Sequence, residues 1–376
     1  MLDLEFGPEQ EMLRDTVRSL FASSAPLSVV RDLEDDPVGY PVDLWKQLAE
    51  LDLLGLLVPE EHGGSGMTAL EGVVLYEELG RALVPTPHFA SCVLAAGALA
   101  RSGSDDQRAA WLPRISSGEA ILTPAWLEPE GGYSPMGVTV TATADGDGFV
   151  LSGTKRHVPF AGAATRLVVL ARTGDAPGAV DLFLVDPAAP GVTLTQQFSV
   201  ASDTQYEVVL DDVRVDASAR IGDAGTGWAT WEAVMADGAI LAAAQAVGGA
   251  RYALEITVQY AKDRRQFDKP LGAFQALAHY LADAATAVDG AEVLVHEAAW
   301  ARAAGHDVAK LAPMAKMFAC QTFRDVTATA QQIFGGIGFT LEFDIQLYFR
   351  RAKALQLSWW DTRACEERVA VAVLGG

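Results

Sequence analysis

The spacing of apolar residues changes twice along the chain and divides it into three stretches. Over residues 1–120, apolar side chains recur every three or four positions, the spacing of amphipathic helices. From residue 121 to about 222, apolar and polar residues alternate, which is typical of half-buried strands. Helical spacing returns over 223–376. The pattern predicts an α+β fold that is mainly helical, with three domains bounded by these changes.

The middle stretch contains a clear hairpin signal. Residues 138–158, VTVTATADGDGFVLSGTKRHV, alternate on both sides of a turn at Asp145–Gly148. Three further alternating runs, RLVVLART, AVDLFLVD and QYEVVLDDVRV, predict three more strands before Gly222. We therefore expect a compact β domain between two helical ones.

The third stretch opens with an unusually apolar helical run. Ala239–Ala253 carries few charges, and its segment AAAQAVGGA would let two backbones approach closely. A helix that is apolar on most faces is hard to bury within one chain of this length. This run therefore predicts a dimer or tetramer.

The composition of the chain limits the kinds of partner and the cellular compartment that are expected. The 49 acidic and 28 basic residues give a formal charge of −21, which argues against nucleic acid or an anionic membrane as partner. Three cysteines without metal-ligand spacing predict a reducing compartment, no disulfides and no metal site. Met1–Gln10 does not resemble a signal peptide, and every long apolar run has polar interruptions. A cytoplasmic protein is expected.

The most informative motif is a glycine turn near the C-terminus. In residues 331–353, QQIFGGIGFTLEFDIQLYFRRAK, two helical segments are joined through Gly335, Gly336 and Gly338. Adjacent glycines after a helix either end it or let a ligand come close to the backbone. The motif alone leaves both explanations open.

Together with PEEHGGSG, YEELGRAL and DRRQFDKPLGAFQ, this turn closely resembles the flavin-dependent acyl-CoA dehydrogenase family over nearly the whole chain. The resemblance implies an N-terminal helical domain, a middle β-barrel or sandwich domain and a C-terminal four-helix-bundle domain. It also implies FAD as cofactor and an acyl-CoA substrate. The tail after RRAK is most similar to the actinobacterial branch, whose members act on bulky, steroid-type acyl-CoA esters, often as α2β2 assemblies.

The resemblance implies that Arg264 meets the flavin pyrophosphate, for which its planar, permanently charged guanidinium is suited. From the residues alone, Lys262, Arg264 and Arg265 could instead complement a helix dipole. In the family, the groups around Arg264 and around Gln332 lie on different subunits and meet at one FAD, which also predicts an oligomer. The implied cofactor-binding residues are Arg264, Phe267, Gln275, Gln332, Gly335, Gly336, Trp126, Leu127, His157, Val158 and Pro159.

The segments that would face the flavin ring depart from the family pattern. A family strand reads Thr-Glu-Pro followed by small residues and serine, whereas this chain has Leu127 followed by EPEGGY. A second family segment, Trp-Ile-Thr, falls on His157, Val158 and Pro159. Proline has no N–H, and His157 replaces a stacking indole. Either backbone groups hold the ring, or this chain holds it weakly.

The resemblance implies desaturation of an acyl-CoA, a reaction in which a carboxylate base must remove the proton from the α-carbon. The two family positions for this base fall on Trp359 and Gly238, neither of which has a carboxyl group. Asp361 and Asp237 lie close by in sequence and are the candidates for the base. Asp361 could instead cap a last helix over Ala364–Leu374.

These observations leave three functions open. The first is an FAD-dependent dehydrogenase that desaturates an acyl-CoA thioester and passes electrons to an electron-transfer flavoprotein. The second is a base-deficient partner subunit of a heteromeric acyl-CoA dehydrogenase. The third is a flavin oxidase or monooxygenase on the same fold, and the fold alone does not distinguish them. The expected assembly is a homodimer or homotetramer, or α2β2 with a paralogous subunit.

Overall fold

The computed structural model describes residues 6–375; residues 1–5 and 376, including part of the segment considered as a signal peptide, lie outside the described range. Eleven α-helices and ten strands occur within it. The helices are α1 Pro8–Ser24, α2 Leu27–Asp32, α3 Val42–Glu50, α4 Ala69–Ala82, α5 Ala96–Ser102, α6 Asp105–Ser116, α7 Gly227–Asp263, α8 Gln275–Ala303, α9 Leu311–Phe334, α10 Ile345–Leu357 and α11 Thr362–Leu374. The strands are β1 Leu122–Ala125, β2 Thr141–Asp145, β3 Gly148–Pro159, β4 Arg166–Arg172, β5 Val180–Val185, β6 Val192–Gln197, β7 Gln205–Asp216, β8 Arg220–Ile221, β9 Arg265–Gln266 and β10 Lys269–Pro270. The predicted α+β fold, mainly helical, is confirmed.

The chain divides into two compact units. Unit 1 combines the chain up to Val30, the stretch Thr68–Val84 and everything from Ala239 onward. Unit 2 comprises Arg31–Met67 and Pro85–Gly238. The division differs from the three predicted stretches because α1 and α4 pack with the C-terminal helices, α4 lying against both α1 and α8.

The sheet of unit 2 curls back on itself. Its strands follow the order β6-β7-β3-β2-β4-β5-β8, with β1 parallel to β4. Strands β3 and β5 are three positions apart, about 14 Å in a flat sheet. The rings of Phe149 on β3 and Phe183 on β5 nevertheless lie 5.0 Å apart between centroids. The sheet therefore encloses one apolar core, as a barrel or sandwich does.

The predicted hairpin forms as expected. Strands β2 and β3 are antiparallel, with Asp145 opposite Gly148 across a two-residue turn. The three other predicted runs are strands β4, β5 and β7.

Helix α7 is the core helix of the fold. It contains an 18-residue window apolar enough to cross a membrane, a possibility that the sequence analysis excluded. Of that window, 78% is buried within the fold. Burial therefore accounts for its apolar composition.

The close backbone approach predicted from AAAQAVGGA occurs within this chain. A methyl group added at Gly248 would overlap the main-chain oxygen of Glu77 on α4, and one added at Gly80 would overlap that of Gln245 on α7. Ala239–Ala253 is buried almost throughout. The argument that this run needs a second subunit is therefore wrong, because α4 and its neighbours cover it.

The C-terminal helices of unit 1 form the predicted bundle. Helices α8, α10 and α11 all pack against α9. The last helix begins at Thr362, close to the predicted start at Ala364.

Candidate functional site

The ends of helices α7 and α9 meet in unit 1. Tyr260, in the last turn of α7, stacks on Phe334 at the end of α9, with ring centroids 4.2 Å apart and an interplanar angle of 11°. Arg264 follows Tyr260 by one turn, and Gly335 follows Phe334 directly. One chain therefore places the end of α7, one turn before Arg264, in contact with the residue that precedes the glycine turn.

Arg264 has a fixed backbone and an exposed side chain. Its N–H donates to the carbonyl of Tyr260 at 2.8 Å, and its carbonyl accepts from the N–H of Leu271 at 2.9 Å. Among the described residues, its guanidinium makes no ion pair or hydrogen bond. A positioned cation without a counter-charge is suited to an anionic ligand such as a diphosphate.

A tight hairpin follows Arg264. Strands β9 and β10 are joined by Phe267 and Asp268, which both have positive φ, 50° and 63°. Glycine and asparagine are the usual residues in such turns, so this backbone is strained. The ring of Phe267 is 87% exposed. An apolar ring held at an exposed tip is available to a ligand or another chain.

The glycine turn leaves open space. Gly335 has φ +66°, a conformation that favours glycine. A methyl group added at Gly335 or Gly336 would find no described atom within 4 Å. Gln332, in the last turn of α9, and Gln275, the first residue of α8, are both exposed. The residues of this region fit the ADP half of an FAD: a free cation, two amides and a backbone that a ligand can approach.

In unit 2, a buried ion pair fixes the first segment predicted to face the ring. Lys155 Nζ donates to Glu128 Oε1 at 2.6 Å and lies 3.4 Å from the carbonyl oxygen of Trp126. The N–H of Arg156 donates to the carbonyl of Leu127 at 2.8 Å. Both charged side chains are almost fully buried. Strand β3 therefore holds the Trp126–Glu128 segment through side-chain and main-chain bonds.

Burial and mutual attraction change the pKa values of both members of this pair, Lys155 and Glu128. It lowers the pKa of Lys155 to about 8, against the raising effect of Glu128. Burial would raise the pKa of Glu128, but Lys155 and the hydrogen bonds from Thr139 and Val140 bring that pKa below its ordinary value. The carboxylate stays charged and anchors the segment. The sequence analysis missed this pair, because no spacing rule connects residues 27 positions apart.

The second segment predicted to face the ring forms a bulge in β3. The β3–β7 register shifts between Lys155 and Val158, and His157 has φ +54°. Val158 is buried, and the carbonyl of Pro159 accepts from the Thr123 hydroxyl at 2.6 Å. A bulge re-aims the side chain at its extra residue, which here is the exposed His157.

Asp361 takes the capping position that the sequence analysis left open. Its Oδ1 accepts from the N–H of Ala364 at 2.8 Å, which makes it the N-cap of α11. This is the capping alternative that the sequence analysis left open, and the role of Asp361 as the base stays a prediction. The adjacent Trp359 and Trp360 both have positive φ.

A buried lysine supports that turn. Lys316 Nζ donates to the carbonyls of Leu355 at 2.9 Å and Trp360 at 3.3 Å, and its side chain is buried. It ties α9 to both sides of the Trp359 position. The sequence analysis also missed this residue, because a lysine within a helix is normally expected to be exposed to solvent.

Asp237, the second candidate base, is also held by another side chain. Asp237 Oδ2 accepts from Arg101 in an ion pair. The neighbouring Gly238, where some family members carry glutamate, faces Phe89 and Leu94 of the π-helical stretch Phe89–Ala95. A Cβ at Gly238 would lie 2.8 Å from Leu94 and 3.1 Å from Phe89, so a side chain at this position requires these two side chains to move.

Three protein-family models match consecutive parts of the chain. They describe the N-terminal, middle and C-terminal domains of acyl-CoA dehydrogenase, over residues 7–119, 124–213 and 225–358. The three matches cover the helical, β and helical parts in the predicted order.

Individual proteins agree with the family models. A probable acyl-CoA dehydrogenase of Bacillus subtilis, YngJ, is 31% identical over 364 residues, covering 95% of each chain. A chain of the ChsE4–ChsE5 complex of Mycobacterium tuberculosis superposes with a TM-score of 0.91 at 27% identity, and both chains are fully covered. A chain in the structure of the electron transferring flavoprotein of Acidaminococcus fermentans gives a TM-score of 0.92, with the same identity and full coverage of both chains.

Proposed function

The chain belongs to the acyl-CoA dehydrogenase family of oxidoreductases, and from that premise we propose that it binds FAD and desaturates an acyl-CoA thioester between the α- and β-carbons. We also propose that electrons then pass to an electron-transfer flavoprotein. The supporting observation is the joint presentation of Arg264 and the open glycine turn by the Tyr260–Phe334 stack.

Each part of the chain has a defined task in this proposal. Arg264 pairs with the pyrophosphate, Gln275 and Gln332 donate hydrogen bonds, and Gly335 and Gly336 leave room for the ligand. In unit 2, Trp126–Glu128 and His157–Pro159 form the edge that receives the ring. When bound, FAD supplies the acceptor for the β-hydride.

The Arg264→Ala variant tests the proposal. It should weaken FAD binding about 10- to 100-fold, since a charge-assisted contact to phosphate is removed, and FAD titration monitored by flavin fluorescence measures this. Lys262→Ala is the matched control, because it removes a cation from the same helix end without touching the proposed contact. Equal losses in both variants would mean that Arg264 acts only through the helix dipole.

A second candidate function is a partner subunit whose neighbour supplies the base. The capped Asp361, the ion-paired Asp237 and the filled space at Gly238 favour it. The similarity to a chain of the two-protein ChsE4–ChsE5 complex supports the same candidate. In it, this chain contributes FAD-binding groups and a paralogous chain removes the α-proton, as in an α2β2 assembly.

Substitution at Asp361 tests whether this residue is the base of the reaction. Asparagine caps a helix as well as aspartate, so Asp361→Asn should leave both stability and the rate of flavin reduction by acyl-CoA within about twofold of wild type. Asp361→Ala should lose about 1 kcal/mol of unfolding free energy because the cap is gone. A fall of ~10² or more in the Asp361→Asn rate, measured by anaerobic stopped flow, would identify Asp361 as the base after all.

The substrate class and setting belong to the same proposal. We expect bulky, steroid-type acyl-CoA esters, by the resemblance of the tail to the actinobacterial branch, and a panel of short, medium and steroid thioesters tests this. Cys92, Cys320 and Cys365 are free buried thiols, which supports a reducing, cytoplasmic setting.

A further inference from the structure

An ordered network surrounds His157 in unit 2. The His157 backbone N–H donates to Gln197 Oε1 at 2.9 Å, and its Nδ1 lies 2.9 Å from Gln205 Oε1. Gln205 Nε2 in turn donates to Asp203 Oδ2 at 2.6 Å. The hydroxyl of Ser199 donates to the other oxygen of Asp203. The network thus runs from a carboxylate through an amide to an exposed imidazole.

The carboxylate at one end determines the protonation pattern of the rest. An ionised carboxylate only accepts hydrogen bonds, so the Gln205 amide must turn its NH₂ toward Asp203. The Gln205 oxygen then faces the imidazole, and Nδ1 of His157 must carry the hydrogen. In the neutral ring, Nε2 is left with a lone pair.

The backbone that positions this imidazole is conformationally strained. His157 and Phe160 both have positive φ, 54° and 52°, which is unfavourable for non-glycine residues. The N–H of Phe160 donates to the carbonyl of Thr204 at 3.1 Å. The surroundings therefore impose the bulge, and strain maintained in this way is found mainly at functional sites.

We propose that Asp203 and Gln205 act as a relay that presents Nε2 of His157 as a proton-accepting atom to the ring edge of bound FAD. This inference rests on the proposed function, which gives the His157 segment a flavin-facing role. His157 is then a proton-holding residue of the flavin site, and Asp203 and Gln205 are positioning residues. The relay places an accepting nitrogen, rather than a donating one, beside the bound ring.

Other charges nearby must be separated from this effect. Glu207, two residues beyond Gln205 on β7, is paired with Arg156 at 3.3 Å. The loop packed against residues 202–206 supplies further carboxylates, of which Asp35 Oδ2 accepts from the Ser202 hydroxyl. The charged groups nearest to His157 in these segments are Asp203, Glu207, Arg156, Asp35 and Asp36, together with Lys155 on β3, which is paired with Glu128.

The first measurement reads the tautomer directly. Nitrogen-15 NMR of histidine-labelled protein should show the tautomer of His157 that carries its hydrogen on Nδ1, the signal being assigned by its loss in His157→Gln. Asp203→Asn should give a mixture of tautomers, because asparagine can donate as well as accept. Glu207→Gln, the matched control, removes a nearby carboxylate without touching the relay and should leave the tautomer unchanged. A wild-type ring protonated at Nε2 would overturn the inference.

The second measurement uses FAD-loaded protein. The absorbance spectrum of bound FAD should differ between wild-type protein and His157→Gln, because the variant lacks the accepting Nε2 beside the ring. The same spectrum in both proteins would overturn the inference alone, provided that acyl-CoA still reduces the flavin. If the wild-type protein binds no FAD, both the inference and the proposed function fail.

Discussion

Two glycine-rich segments of unit 1 serve opposite purposes. Around Gly248, α7 is in such close contact with α4 that a single methyl group would overlap the Glu77 backbone. Around Gly335 and Gly336, the same methyl group would meet no described atom within 4 Å. The first segment contains glycine because a neighbouring helix is close. The second segment contains glycine even though no described neighbour is close.

The difference shows what each glycine is for. At Gly248, internal packing accounts fully for the residue. At Gly335, the positive φ accounts for it. Packing and conformation leave Gly336 unexplained among the described residues, so an external ligand or chain is the remaining physical reason for it.

The largest expected effect is at Gly248. Gly248→Ala should lower the free energy of unfolding by about 3 kcal/mol or more, because α4 and α7 must separate to admit the methyl group. Urea unfolding followed by circular dichroism measures the change. Gly290→Ala in α8 is the control: its methyl group would lie 3.7 Å from Phe318, an ordinary contact, and a helical alanine should add about 0.5 to 1 kcal/mol. A neutral Gly248→Ala would refute the close approach of the two helices.

An intermediate effect is expected at Gly335. Gly335→Ala should cost about 2 kcal/mol, because alanine is strained at φ +66° and ψ −139°. The same urea titration applies. Stability equal to wild type would show that the turn can adopt another conformation.

The smallest effect on stability is expected at Gly336. Gly336→Ala should change the unfolding free energy by less than about 0.5 kcal/mol, yet weaken FAD binding about tenfold, because the methyl group enters the space proposed for the ligand. Gly178→Ala, also open but in the β4–β5 turn, should change neither quantity. If FAD binds Gly336→Ala as tightly as wild type, the open space has another use.

Local patterns in the sequence were sufficient for most of the fold. The hairpin at Asp145–Gly148 and the last helix follow from alternation, turn residues and helical spacing, which act over a few positions. The helix that packs on Ala239–Ala253 could not be predicted in this way. The spacing of apolar residues shows how apolar a helix is, but it does not show which element covers it. The cover is α4, more than 150 residues earlier in the chain.

The candidate site shows the same limit. The motif around Arg264 identified an exposed cation from its neighbours in sequence. The pairing of Glu128 with Lys155 and the support of Trp360 by Lys316 join distant positions, and sequence spacing does not reveal them. Asp361 was ambiguous because a carboxylate before a helix can either cap it or act on a substrate; the hydrogen bond from Ala364 shows that it caps the helix.

The discontinuous build of unit 1 has a consequence during synthesis. Helix α4 leaves the ribosome long before the part of α7 that contacts it, so Glu77 and Gly80 lack their neighbours Gly248 and Gln245 until then. At ~5–20 residues per second, the delay is on the order of ten to thirty seconds. Over that interval the nascent chain exposes apolar surface that unit 1 buries once α7 is complete.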